Sequence, residues 1–186
     1  MSAAKVRPAK DASRYILDRV GKMLEENGGS VEEAVHTIAS AKRVFVYGVG
    51  RSGLVARAFA MRLVQLGVDC YFIGETITPI VKLGDLVVIV SNTGTTMSAV
   101  QTANIARRVG AKVLAVTGSD HSKLAQAANV ALTITEERDA RRPKYAPLGT
   151  LFETAALVLL DGLVAEVMKE LGETEASMRS RHAIMV

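Results

Sequence analysis

Two short stretches of the sequence combine glycine with hydroxyl side chains, where the chain leaves an apolar run and enters a helical pattern. They read GVGRSG (48–53) and SNTGTT (91–96). Unpaired backbone N–H groups at the start of a helix, together with nearby hydroxyl groups, can bind an anion such as phosphate. The alternative is ordinary N-capping by Ser52 and by Thr95 or Thr96. The residues expected to contact the anion are Gly50, Arg51, Ser52, Ser91, Asn92, Thr93 and Thr96.

Two residues of the second stretch are expected to shape its backbone. Gly94 would let the backbone approach the anion closely, because it has no side chain. Asn92 would accept a positive φ more readily than most residues. The sequence contains no GxxxxGK[ST] pattern, which is typical of nucleotide phosphate binding.

One carboxylate that could act as a base, Glu153, stands at the start of the apolar stretch LFETAALVLL. These neighbours would partly remove the carboxylate from water, which suits a general base. A structural role is open as well, because Thr150 and Glu153 have capping-box spacing and an acid in the first turn favours the helix dipole. Both roles can hold at once.

Five short runs rich in Val, Ile, Leu, Tyr or Phe predict the strands that position these residues. Near-continuous apolar strands that alternate with helices are typical of a parallel sheet covered on both faces. In the flavodoxin-like order 2-1-3-4-5, the first and third strands are neighbours, so both loops face one crevice. The prediction is an α/β fold, a three-layer αβα sandwich with two N-terminal helices and a long C-terminal helix. The predicted strands span 43–48, 69–74, 85–90, 111–118 and 129–134.

Length and composition restrict the class of protein. The 186 residues suit one domain spanning 1–186, and 49% hydrophobic and 23% charged residues are typical of a globular chain. The net charge of +4 is diffuse and aromatic residues make up 4%, which does not favour nucleic-acid binding. Acids interrupt the longest apolar stretch (151–168), so no membrane span is expected. The start of the sequence has no apolar signal-peptide core, and we expect a cytoplasmic protein.

Four segments together resemble the sugar isomerase (SIS) domain family, and within it most closely the 6-phospho-3-hexuloisomerases. In chain order they read GVGRSGLVARAFAMRLVQLG, GETITPIVKLGD, SNTGTT and PLGTLFETAALVLLDGLVAEVM. The likeness runs from about Ala9 to the terminal RHAIMV. In that family the second loop usually reads SGSGET, so this sequence differs at Asn92, Thr93 and Thr95 and lacks an acid there.

The resemblance implies a fold, a reaction and an assembly for this sequence. The fold is the SIS five-stranded parallel sheet. The reaction interconverts D-arabino-3-hexulose 6-phosphate and fructose 6-phosphate through an enediolate, within formaldehyde assimilation by the ribulose monophosphate pathway. The assembly is a homo-oligomer, typically a homotetramer, with sites at subunit boundaries. Neither a metal ion nor an organic cofactor is implied.

Several residues acquire roles in this reaction. The resemblance assigns the proton transfer between C2 and C3 to Glu153, and it points to His182 in a tail that closes the site of another subunit. A mobile terminus with solvated charges is the alternative for that tail. Glu75 follows the second predicted strand, where it would contact sugar hydroxyls. Arg51 would pair with the phosphate or a sugar hydroxyl, or else form an ordinary surface ion pair.

Two other functions remain compatible with these sequence features. An arabinose 5-phosphate isomerase shares the enediol chemistry and resembles the same domain. A phosphosugar-sensing module would bind the sugar phosphate without converting it. Substrate preference separates the two isomerases, and binding without turnover would identify the sensor.

Overall fold

In the computed structural model, the centre of the protein is a sheet of five parallel strands. The structure describes residues 8–26 and 28–184; the remaining positions of the predicted domain 1–186 lie outside the described residues. The strand order β2-β1-β3-β4-β5 confirms the predicted flavodoxin-like order. The strands are β1 (Val44–Gly48), β2 (Cys70–Phe72), β3 (Leu86–Ser91), β4 (Lys112–Thr117) and β5 (Val130–Thr133).

Helices precede, connect and follow the strands, with two at the amino end of the chain and one long helix after β5, as the sequence predicts. Two short helices were not predicted. α6 lies in a segment expected to be a loop, and α8 in the tail opens with a capping box between Thr174 and Ser177. The helices are α1 (Pro8–Glu25), α2 (Val31–Ala39), α3 (Arg51–Gln65), α4 (Met97–Arg108), α5 (Lys123–Ala127), α6 (Arg142–Tyr145), α7 (Thr150–Glu170) and α8 (Glu175–Ser180).

The sheet separates two apolar cores of unequal size. Because side chains alternate along a strand, Val44 and Val46 of β1 face one core while Phe45 faces the other. Residues of α1, α2, α3 and α7 cover the first side, and α4 and α5 cover the second, mostly with alanines. The three-layer αβα sandwich is therefore confirmed. No helix within residues 8–26 and 28–184 is long and apolar enough to span a membrane.

The long helix α7 is buried along most of its length and carries Glu153 near its start. It packs against α1, α2 and α3, and Phe152 and Leu160 are fully buried in the larger core. At its first residue, Thr150 accepts a hydrogen bond of 3.4 Å from Arg51, the first residue of α3. The starts of α3 and α7 therefore lie together, beyond the carboxyl end of β1.

Candidate active site

A small cavity lies at the carboxyl ends of β1 and β3, between the two loops that follow these strands. The two strands are neighbours, with Gly48 opposite Val90 at their ends. The cavity has a volume of about 130 Å³, which is below the range of sites that enclose a whole ligand. It suits a group of the size of a phosphate. Its lining residues are Val49, Ser52, Val90, Ser91, Asn92, Thr93, Thr96 and Ala99.

Three glycines determine the path of the first loop. Gly50 has a φ of +59°, which few residues other than glycine adopt, and it forms the N-cap of α3. A Cβ atom added at Gly48 would lie 2.7 Å from the backbone of Ser52, and one at Gly53 would lie 2.5 Å from the Gly48 carbonyl oxygen. Close packing of strand against helix therefore requires both glycines. Their G-x-G-x-x-G spacing in the sequence could have indicated this role, but sequence reasoning did not use it.

The second loop is held by the loop that follows β4. The Asn92 carbonyl accepts hydrogen bonds from Gly118 N (2.8 Å) and from Thr117 Oγ1 (3.3 Å). Gly94 has a φ of +58°, and a Cβ atom there would collide with the Ser122 side chain. Gly94 therefore has a packing role, and its close approach to an anion stays a prediction. Asn92 does not have the positive φ that its residue type suggested.

The capping alternative for these loops is wrong, because neither helix start is capped by a side chain. Gly50 and Thr96 occupy the N-cap positions of α3 and α4, and neither provides a side-chain cap. Ser52 lies inside α3, and Thr95 hydrogen-bonds to Thr93 Oγ1 instead. Backbone N–H groups in the first turns consequently remain suited to an anion bound from outside.

Glu153 is linked to this region through Arg51, which precedes the lining residue Ser52 but does not line the cavity itself. Its Oε2 atom is 3.0 Å from Arg51 Nη1, and the side chains are 15% and 59% exposed. The two groups are close enough for an ion pair, but Glu153 Oε2 makes no aligned hydrogen bond and is buried. The Nη1 group is directed at Thr150 Oγ1 instead. The carboxylate therefore keeps an unused acceptor next to a cation.

The predicted capping box between Thr150 and Glu153 is wrong. The N-cap of α7 is Gly149, one residue earlier than that pattern requires, and it provides no side-chain cap. The Thr150 hydroxyl donates to the Pro147 carbonyl at 2.7 Å. Glu153 thus lies in the first turn of α7 without capping it. Of the two structural roles considered for Glu153, only the favourable interaction with the helix dipole remains.

Of the residues predicted to bind the substrate, Glu75 does not line the cavity, and neither do Gly50 and Arg51, which directly precede the lining residue Ser52. Its exposed carboxylate pairs with Arg57, whose guanidinium carbon lies 3.6 Å from the centre of the Phe72 ring. Glu75 is therefore placed by α3 and β2, at the same edge of the sheet but outside the cavity lining. A contact with a sugar hydroxyl stays a prediction.

His182 lies at the other end of α3 from Glu153. The neighbouring Arg181 donates to the Gln65 carbonyl at 3.1 Å, at the last residue of α3, and pairs with Glu173 at 2.8 Å. That guanidinium, with the Ser177 hydroxyl, lowers the pKa of Glu173 to about 2. A helix of this length spans roughly 20 Å, so His182 cannot reach the Glu153 of its own chain. Its predicted role requires a second subunit.

Sequence reasoning missed the residues that support the site from behind. Gly149, Thr117 and Ser122 contact site residues, but their types alone carry no functional signal. Within the described ranges, no group of three or more His, Cys, Asp or Glu side chains could hold a metal ion.

The chain is similar in sequence and in structure to known proteins. A family model described as "SIS domain" matches residues 37–160. A relative from Methanocaldococcus jannaschii named 3-hexulose-6-phosphate isomerase is 36% identical, over 85% of this chain and 85% of its own. A crystal structure from Methanococcus jannaschii, for which the molecular function of 3-hexulose-6-phosphate isomerase was inferred, superposes with a TM-score of 0.77 at 31% identity. It covers 95% of this chain and 98% of its own.

The match to a relative named as a different sugar isomerase covers a smaller part of that relative. The arabinose 5-phosphate isomerase of Pseudomonas aeruginosa is 29% identical over 89% of this chain, but over only 52% of its own sequence. The likeness to it is therefore weaker in identity and confined to about half of that protein.

Proposed function

Because the chain belongs to the SIS domain family, we propose that it is a phosphosugar isomerase that interconverts D-arabino-3-hexulose 6-phosphate and fructose 6-phosphate. One observation carries this proposal: a largely buried carboxylate, Glu153, contacts Arg51, whose neighbour Ser52 lines a cavity of about 130 Å³ between two uncapped helix starts. The names of the relatives supply the sugar, and the site geometry supplies the chemistry.

In this proposal the cavity binds the phosphate of the substrate. Ser52, Ser91, Thr93 and Thr96 provide hydroxyl donors, and the first turns of α3 and α4 provide backbone N–H groups. The volume admits the phosphate but not the carbon chain, so the sugar extends outward past Arg51. Glu153 then stands beside the carbons to be isomerised.

The proposed reaction needs a single base. Glu153 removes the proton from C2 of the 3-ketose, and the electron pair forms an enediolate between C2 and C3. Transfer of the O2 hydroxyl proton to O3 and return of a proton from Glu153 to C3 leave the carbonyl at C2, which gives fructose 6-phosphate. The unused acceptor of Glu153 Oε2 supports this role, because an oxygen already engaged in aligned hydrogen bonds would be a poorer base.

His182 enters this proposal only from another subunit. The chain exposes apolar side chains that a homo-oligomer would cover, including Leu54 (64% exposed) and Met61 (52%) on α3, and Ile77 (86%) after β2. We propose a cytoplasmic homotetramer in which the tail of one chain closes the site of another. The proposed metabolic context is the ribulose monophosphate pathway.

The test of the reaction is incubation with fructose 6-phosphate in heavy water, followed by NMR. Deuterium at C3 of fructose 6-phosphate, together with formation of the 3-ketose, is the expected result. Deuterium only at C1 would contradict the proposal and indicate aldose chemistry, as would preferential conversion of arabinose 5-phosphate. Binding of fructose 6-phosphate without any exchange would identify a sensor instead.

Mixing of two inactive variants tests the subunit boundary. Glu153→Gln and His182→Ala are co-expressed, so that assemblies contain both chains. If the two residues act across a boundary, about one quarter of the sites in a random mixture regain both groups. Each variant alone is the control. An activity of the mixture no higher than that of the two separate variants would contradict a role for His182 in another subunit's site.

A further inference from the structure

The turn that leads into α7 contains a backbone conformation that its side chain disfavours. Leu148 has a φ of +56°, and within residues 8–26 and 28–184 no other residue except glycines has a positive φ. Left-handed backbone is unfavourable for leucine and persists only where the surroundings maintain it. The Leu148 side chain is 85% exposed, so its own packing does not provide this support.

Arg142, the first residue of α6, contacts this turn. Its Nη2 atom donates to the Leu148 carbonyl, and its Nε atom contacts the carboxylate of Glu136, which follows β5. The side chains of Arg142 and Glu136 are 31% and 18% exposed, so both are mostly removed from water. One guanidinium therefore ties the exit of β5 to the turn before α7.

The conformation of this turn determines what lies beneath the Glu153 carboxylate. Gly149 follows Leu148, and its carbonyl accepts a hydrogen bond of 2.9 Å from Glu153 N. A Cβ atom added at Gly149 would lie 2.9 Å from Glu153 Oε1 and 3.1 Å from its carboxyl carbon. The carboxylate thus rests directly on the Gly149 Cα. A rotation of the peptide between Leu148 and Gly149 would move this support.

We propose that Arg142 is a positioning residue for the isomerisation: by holding Leu148 in the left-handed region, it fixes Gly149 and with it the Glu153 carboxylate. Arg142 itself does not touch the substrate. The inference rests on the proposed function, in which Glu153 is the base. It predicts a loss in the rate of the chemical step without a matching loss in phosphate binding.

The test is a double-mutant cycle between Arg142 and Leu148. Arg142→Met should lower kcat about tenfold or more and leave KM within about threefold, because a small displacement of a base is costly to the chemical step. Arg142→Lys keeps the charge but cannot contact the Leu148 carbonyl and Glu136 at the same time, and it should retain intermediate activity. Arg138→Met, an exposed arginine of the same segment, is the matched control.

Leu148→Gly distinguishes positioning from a general structural role. Glycine adopts the left-handed conformation without strain, so Arg142→Met should cost much less kcat in the Leu148→Gly background than in the wild type. If Arg142→Met does not fold, as judged by circular dichroism, Glu136→Gln with and without Leu148→Gly provides the same cycle.

The outcomes separate this inference from the proposed function. If the wild-type protein exchanges no proton of fructose 6-phosphate, the proposed function fails, and with it the premise of the inference. If the wild type is active but Arg142→Met keeps its kcat within about twofold, the positioning role is overturned. An equal loss of kcat with leucine or glycine at position 148 would overturn it as well.

Discussion

Two arginine–carboxylate pairs stand at opposite ends of the strands β1 and β3. Before the strands, Arg43 binds Asp85 through two contacts of 3.0 and 2.6 Å, and Lys82 N donates to the same carboxylate at 2.7 Å. Beyond the strands, Arg51 meets Glu153 through one contact of 3.0 Å that is not aligned as a hydrogen bond. Both pairs join a guanidinium to a carboxylate, but only the Asp85 carboxylate has its hydrogen-bond acceptors occupied.

The saturated pair is suited to stability and the unsaturated one to chemistry. Burial alone would raise the pKa of Asp85, but hydrogen bonds from Arg43 and Lys82 N hold that pKa below its usual value. The Asp85 side chain is only 2% exposed, so water does not compete with these partners. Glu153 Oε2, by contrast, has no aligned hydrogen bond to break, as the proposed base requires. The number of donors around a carboxylate thus separates the two roles.

The largest expected effect is on activity at the carboxyl end. Glu153→Gln keeps the shape of the side chain but cannot accept the C2 proton, and kcat should fall about 10²- to 10⁴-fold. Urea unfolding should change little, because Glu153 caps nothing. Glu166→Gln, on an exposed part of the same helix, is the control. A folded Glu153→Gln protein with unchanged turnover would remove the functional half of the comparison.

The second effect is on stability at the amino end. Arg43→Met leaves the buried Asp85 carboxylate with the Lys82 N–H group but without its cation, which should lower the free energy of unfolding by about 3–5 kcal/mol. Arg51→Met is the matched control, because Arg51 is 59% exposed and should cost less than about 1 kcal/mol. Both are measured by urea unfolding. Equal losses for the two variants would show that the pairs do not differ as described.

A smaller effect is expected from the support of the Glu153 carboxylate. Gly149→Ala places a Cβ atom 2.9 Å from Glu153 Oε1, and the displaced carboxylate should lower kcat about tenfold with little change in KM. Gly162→Ala, inside α7 with open space around its Cβ position, should instead stabilise the protein by about 0.5–1 kcal/mol. Steady-state kinetics and urea unfolding of both variants check the contrast. Normal kcat in Gly149→Ala would contradict the close contact.

The smallest effect is the pH dependence of the amino-end pair. Because the pKa of Asp85 is lowered in the folded state, its stabilisation is complete above the unfolded pKa of about 3.9 and is lost as the pH falls through the lower folded value. Urea midpoints of the wild type should therefore fall more steeply below about pH 4 than those of Asp85→Asn. Parallel curves would show that this pair does not contribute through its charge.

The sequence was a good guide to the elements and a poorer one to the site's supports. Apolar runs and helical periods predicted all five strands, because burial on both faces of a parallel sheet imposes a local pattern. Their order came from the common flavodoxin-like arrangement, which the structure confirms. Ser52 and Thr96 were predicted to share a crevice, and both line the cavity. The short helices α6 and α8 were missed, since helices of four and six residues leave too short a period to recognise.

What the sequence determined by itself was the order of layers, the two hydroxyl-rich loops and the carboxylate at the start of α7, because each depends on neighbours along the chain. Only the tertiary structure decided that Glu153 meets Arg51 with an acceptor left unused, and that His182 lies at the far end of α3. Those facts depend on angles and distances between segments about 100 residues apart along the chain, which no local pattern encodes.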